Sequence, residues 1–100
     1  MKNKKKIKYD SGTESLAKFA KALGHPTRIK IIKYIEENSR GQISDLTKSL
    51  PLAQSTISRH IKELKDAGLL TAKKKSSKIF YSLNISNWQS AKALFNNLFR

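Results

Sequence analysis

The strongest constraint on this chain is a change of hydrophobic period about two-thirds of the way along it. Up to Leu64 the apolar residues recur at helical spacing, and from Leu69 to Leu83 they alternate with polar ones, as in strands. Glycine and proline cut the helical part into short pieces, at Gly24 and Pro26, Gly41, Pro51 and Gly68. With no internal repeat and no composition break, this pattern predicts a single domain of short helices plus one β-hairpin.

The pieces can be placed in order. Ser11-Gly-Thr-Glu14 has the spacing of a capping box, and Leu16, Phe19, Ala20 and Leu23 follow at helical spacing up to Gly24. Pro26 suits the first turn of a second helix. Ile29, Ile32 and Ile35 are its expected buried stripe, widened by Ile31 and Tyr34, and Asn38-Ser-Arg-Gly41 closes it. Ser44 is the expected N-cap of a short helix that turns Leu46 and Leu50 inward until Pro51 breaks it. A longer helix over 53–68 places Ile57, Ile61 and Leu64 in one narrow arc. Strands over 69–74 and 79–83 flank the polar turn Lys75-Ser-Ser-Lys78. Ser86 is the expected cap of a last helix with Trp88, Ala91, Leu94, Phe95, Leu98 and Phe99 on its apolar side. Residues 1–10 carry Lys2, Lys4, Lys5, Lys6 and Lys8 and form the expected flexible basic arm; residues 11–100 form the domain.

Charge narrows the partner. Among 100 residues, 21 Lys and Arg stand against 7 Asp and Glu, a formal net charge of +14. Such an excess points to a polyanion, either nucleic acid or an anionic membrane surface. The chain has no cysteine, which removes disulfides, thiolate zinc sites and cysteine nucleophiles. No apolar run approaches the length of a membrane span, and Met1-Lys-Asn-Lys-Lys-Lys6 is not followed by the apolar stretch of a signal peptide. The cytoplasm is the expected location, with no membrane partner. The few carboxylates sit mostly beside lysines, and no catalytic set assembles, so an enzyme is not expected.

The helices over 44–50 and 53–68 have helix-turn-helix proportions. With Ile57, Ile61 and Leu64 inward, the second presents Ser55, Arg59 and Lys62, flanked by Thr56 and Ser58, with Gln54 at its start. Small hydroxyl residues allow close approach to a major groove, and arginine can reach guanine through two hydrogen bonds. The hairpin adds Lys73, Lys74, Lys75 and Lys78 around a turn with no acidic residue among them. Their mutual repulsion is rewarded only by an anion such as a phosphate backbone. A helix-turn-helix followed by a basic two-stranded hairpin is a winged-helix arrangement.

Three segments carry a family resemblance. Leu23-Gly-His-Pro-Thr-Arg-Ile-Lys-Ile-Ile32 resembles the second-helix signature of the ArsR/SmtB repressors. Gln54-Ser-Thr-Ile-Ser-Arg-His-Ile-Lys-Glu-Leu-Lys-Asp-Ala-Gly-Leu-Leu70 resembles their recognition helix, and Ile79-Phe-Tyr-Ser-Leu83 their wing strand. The resemblance spans roughly residues 16–83. It implies a mainly α, winged helix-turn-helix regulator that acts as a homodimer, with DNA contacts from Gln54, Ser55, Thr56, Ser58 and Arg59 and the wing on the phosphate backbone. It further implies a dimer interface from the first and last helices, here Leu16, Phe19, Trp88, Ala91, Phe95 and Leu98.

The sensing positions depart from the family. Where metal-sensing members carry Cys-x-Cys, this chain has Gln42 and Ser44, and it has no histidine beyond His60. Pro51 stands at a turn position often held by glycine. His25 is expected to cap or pack, and His60 to pack or to meet a phosphate. Because they fall at the start of one helix and the middle of another, a shared metal site would require symmetry to bring distant pairs together. The expectation is therefore a DNA-binding repressor that uses no cofactor and no metal, with double-stranded DNA and a second copy of itself as partners. Its effector is undetermined. The rival readings are a nonspecific or RNA-binding winged helix and a basic protein-interaction domain.

Overall fold

The computed structural model describes residues 6–100. In chain order the elements are α1 (Ser11–Ala22), α2 (Pro26–Asn38), α3 (Ile43–Ser49), α4 (Gln54–Asp66), β1 (Leu70–Lys75), β2 (Lys78–Leu83) and α5 (Ile85–Leu98). All seven expected elements are present in the expected order, and the hairpin is a two-stranded antiparallel sheet. Of the basic arm, Lys2, Lys4 and Lys5 lie outside the described residues. Residues 6–10 are exposed and without regular structure.

Three helix starts differ from expectation in the same sense, with the cap one or two residues earlier in the chain. For α1 the cap is Asp10, whose Oδ2 accepts the Thr13 N–H at 3.1 Å and whose Oδ1 accepts the Thr13 hydroxyl at 2.7 Å. These bonds hold the Asp10 carboxyl below its usual pKa, and Ser11, the expected cap, is already helical. For α3, Gln42 rather than Ser44 occupies the cap position, and the Asp45 carboxylate accepts the Gln42 N–H at 2.8 Å. For α5, Asn84 rather than Ser86 is the cap, its Oδ1 accepting the Asn87 N–H at 3.1 Å. Each time two polar residues could accept an orphan N–H, and the one with extended backbone takes the role.

The core is a single cluster drawn from every element except β2: Phe19 from α1, Ile31, Ile32 and Ile35 from α2, Leu46 from α3, Ile57, Ile61 and Leu64 from α4, Leu70 from β1 and Ala91 from α5. Ile29 does not join it. It is 45% exposed, because α2 packs on the arc of Ile31, Ile32 and Ile35 and Ile29 falls outside that arc. The break between α3 and α4 follows from Pro51: Leu50 is extended at φ −122°, ψ 133°, as a residue before proline prefers. The turn therefore needs no left-handed residue.

Two tertiary links anchor the wing, and both were illegible in the sequence. Gly41 and Tyr81 exchange backbone hydrogen bonds of 2.9 and 2.8 Å, so the loop after α2 forms a bridge to β2. A Cβ at Gly41 would sit 3.1 Å from the Tyr34 ring, so a larger residue there would have to push that ring aside. Beside it, the Arg40 guanidinium lies 4.0 Å from the centroid of the Phe80 ring, a cation–π contact.

Gly68 ends α4 at φ +83°, a left-handed conformation at the C′ position. A Cβ there would lie 2.8 Å from Nδ2 of Asn87, which donates to the Gly68 carbonyl at 2.9 Å. Gly68→Ala is thus expected to destabilise the fold by about 1–3 kcal/mol, from backbone strain and displacement of Asn87. Urea unfolding would show this as a lower midpoint at unchanged slope.

Candidate nucleic-acid interface

Helix α4 carries the face expected to meet DNA. At 100° per residue, Ser55, Ser58, Arg59 and Lys62 share one arc opposite the buried Ile57, Ile61 and Leu64, and all four are exposed. Gln54 is exposed at the helix start. Thr56 is half-buried and turned away from this arc, towards His60 and Glu63. Ala53, the residue before α4, offers no side-chain cap; its carbonyl accepts the Thr56 and Ile57 N–H groups, which leaves those of Gln54 and Ser55 for an external acceptor. Lys62 is not a free cation: its Nζ lies 2.6 Å from Asp66 Oδ2, and this pairing raises its pKa. Both partners are exposed, so the pair is weak and a phosphate can compete for Lys62. Arg59 makes no such pair and remains the strongest candidate for base recognition.

The wing presents all four expected lysines, but not on one side. In the observed register Lys73 pairs with Phe80, Lys74 with Ile79 and Lys75 with Lys78. Directly paired residues point to the same face and successive ones alternate. Lys73, Lys75 and Lys78 therefore share the face of Phe80, whereas Lys74 shares the opposite face with Ile79. Lys75 and Lys78 stand directly opposite each other, an unfavourable like-charge pair that a phosphate would relieve. The tight turn between them is Ser76-Ser77, with Ser76 left-handed at φ 58°.

The six residues expected at a dimer interface separate by burial. Phe19 and Ala91 are covered within the chain at 4% and 2% exposure, and so belong to the core of the protomer rather than to its surface. Leu16, Trp88 and Phe95 are half-buried, and Leu98 is exposed. Ile85 and Phe99, not among the six, add exposed apolar surface on the same helix and just beyond it, and the Phe99 ring stacks on Phe95 at 5.9 Å. Helices α1 and α5 pack against each other, whereas Ile85 and Trp88 line a groove with Ile35 of α2 and Leu83 of β2.

His25 caps α2, its Nδ1 accepting the Thr27 N–H at 3.1 Å. The expectation that the two histidines lie far apart is overturned: packing of α2 on α4 brings the His25 and His60 rings to 4.4 Å within one chain. Burial is the main cause holding the His60 pKa below the ordinary value, followed by the neighbouring His25, Arg28 and Arg59, with Glu63 opposing. Among the described residues no three His, Cys, Asp or Glu side chains converge as metal ligands, and no helix is long and apolar enough to cross a membrane.

Helices α3 and α4, the tight turn at Pro51 and the basic hairpin define a winged helix-turn-helix protein. The family model described as bacterial regulatory protein, arsR family, matches residues 25–72. An uncharacterised HTH-type transcriptional regulator of Methanocaldococcus jannaschii is 38% identical over 68 residues, covering 68% of this chain and 76% of that protein. The transcriptional repressor PagR of Bacillus anthracis is 30% identical over 79 residues, 79% of this chain and 78% of PagR. Its crystal structure superposes with a TM-score of 0.71 at 25% identity, covering 88% of this chain and 95% of that one. An ArsR-like transcriptional regulator from Rhodococcus sp. RHA1 shares the fold, with a TM-score of 0.75 at 24% identity over 87% of this chain and 82% of that one. The chain belongs to the ArsR family of DNA-binding transcriptional regulators, and not to a family of enzymes.

Proposed function

We propose that this protein is a sequence-specific repressor that acts as a homodimer in the cytoplasm and binds a palindromic operator. The observation that carries the reading is the single outward arc of α4, where Ser55, Ser58, Arg59 and Lys62 lie together beside an uncapped helix start. Ser55 and Ser58 permit close approach, Arg59 reads a base edge, and Gln54 and Thr56 flank the contact. The wing lysines run along the backbone, and residues 1–10 add phosphate affinity. The likeness to the repressor PagR supports repression as the outcome. Selection from random duplexes is expected to enrich a two-fold palindrome; a chain that enriches no sequence would refute the reading in favour of a nonspecific module.

Arg59→Ala is expected to weaken binding to the selected site by about 1–3 kcal/mol and to flatten discrimination at one position per half-site. Competition against random duplex measures both, and an equal loss on both DNAs would make Arg59 a phosphate contact instead.

The signal is not a thiophilic metal. A zinc site wants about four ligands, and without cysteine it must lean on imidazole. Each chain offers only His25 and His60, and the Nδ1 atoms of both already accept hydrogen bonds. Micromolar zinc is expected neither to bind stoichiometrically in calorimetry nor to release bound DNA, and submicromolar binding that dissociates the complex would reinstate a metal sensor.

A further inference from the structure

We propose that the cleft between the start of α2 and helix α4 is a binding site for a phosphate-class oxyanion, built from the rings of His25 and His60 with the guanidinium of Arg59. The cleft measures about 550 Å³ and is lined by those three residues together with Thr27, Arg28 and Thr56. It opens to one side of the outward arc of α4, with Arg59 at the border between the two.

Hydrogen bonding sets what the two rings can offer. His25 Nδ1 accepts from the Thr27 N–H at 3.1 Å, and His60 Nδ1 accepts from the Arg28 Nε–H at 3.1 Å. An imidazole that accepts through one nitrogen carries its proton on the other, so each ring keeps an Nε2–H donor. The rings are 4.4 Å apart and both line the cleft, so they act on one site. The hydroxyls of Thr27 and Thr56 add to this donor set.

The charge around the rings is only partly balanced. Arg28 donates to the carbonyls of Lys21 and Ala22 and to His60, and meets no carboxylate. From α4 the site faces Arg59, Lys62 and Glu63, and Lys62 is drawn off to Asp66. Two guanidinium groups and two imidazoles thus share one carboxylate. A divalent metal does not fit, since the Nδ1 atoms are engaged and no third ligand converges among the described residues. An oxyanion fits, because it accepts from every donor present and lies beside two guanidinium groups that share a single carboxylate. It would also offset the charge of Arg28 and Arg59, which after burial holds the His60 pKa low.

Two sources carry this chemistry. One is a backbone phosphate flanking the base-reading contacts of α4, which rests on the DNA-binding reading; the other is a free phosphate-class anion acting as a small ligand. The full chain permits a direct test, because its only two histidines are both in the cleft and the imidazole NMR signals report on nothing else. Titration with inorganic phosphate, against chloride at matched ionic strength, is expected to shift the signals of both rings saturably. His25→Asn keeps a strong N-cap, and His60→Asn keeps an oxygen where Arg28 donates, while each removes an Nε2 donor. In either variant the remaining ring is expected to bind phosphate at least tenfold more weakly. Rings of the unaltered chain that respond no differently to phosphate and chloride would overturn the proposal.

Duplex binding by the double variant separates the sources. A backbone phosphate in the cleft predicts a plot of log affinity against log salt that is shallower by about one unit on every sequence. An unchanged slope, with the phosphate response intact in the unaltered chain, assigns the site to a free anion. Should the unaltered chain bind no duplex at all, the DNA-binding reading fails while the phosphate titration still decides the cleft.

Discussion

Charge placed on the end of α5 is expected to convert the protein to monomer and to cost roughly a hundredfold or more in operator affinity. That loss corresponds to the avidity gained when two linked half-sites bind together. Two recognition helices can enter successive major grooves only when a dimer holds them about 34–36 Å apart. Leu98 and Phe99 are 59% and 76% exposed, and Phe95 reaches the same surface from a half-buried position. On a chain of net charge +14, such an apolar patch is best explained by a second copy covering it, and two-fold dimers are the commonest closed assembly. Phe95→Asp and Trp88→Ala should both shift sedimentation towards monomer, but each also touches the protomer's own packing. The double variant Leu98→Asp with Phe99→Asp is cleaner, since neither side chain supports the core. If that variant keeps its helical circular dichroism and still sediments as a dimer, the interface lies elsewhere.

Neutralising the wing is the second large effect. Each phosphate contact contributes about 0.9 to the slope of log affinity against log salt. Replacing Lys73, Lys75 and Lys78 with glutamine is expected to flatten that slope by two to three units, at about one per contact, and to weaken every duplex alike. The register distinguishes the lysines: Lys73, Lys75 and Lys78 share a face, whereas Lys74 points to the other with Ile79. Lys74→Gln should therefore change the slope less than any of the other three. An unchanged slope after all four replacements would remove the wing from the interface. The change should be electrostatic alone, because relieving the repulsion between Lys75 and Lys78 favours the hairpin.

Seven elements and their order were legible in the sequence because the signals that define them are local. Helical spacing, strand alternation and glycine or proline breaks depend on the chain's own geometry, and the exposed arc of α4 follows from the same arithmetic. The exact helix starts were not legible. Asp10 and Ser11, Gln42 and Ser44, Asn84 and Ser86 offer competing acceptors within two residues, and backbone conformation chooses between them. Ile29 was misplaced because periodicity gives a helix its apolar face, while the neighbouring helices decide how much of that face they cover.

The sequence by itself determined the helical class, the hairpin, the cationic character and the exposed polar face of α4, since each is written in neighbouring residues. Only the tertiary structure decided the contacts between residues far apart in the chain. It brought Gly41 to Tyr81 and Arg40 to Phe80, and so fixed the wing to the body of the domain. It also set His25 against His60, tied to Arg28, beside the recognition helix. These pairings depend on how α2 packs on α4 and on β2, a long-range outcome of core shape that no local pattern encodes.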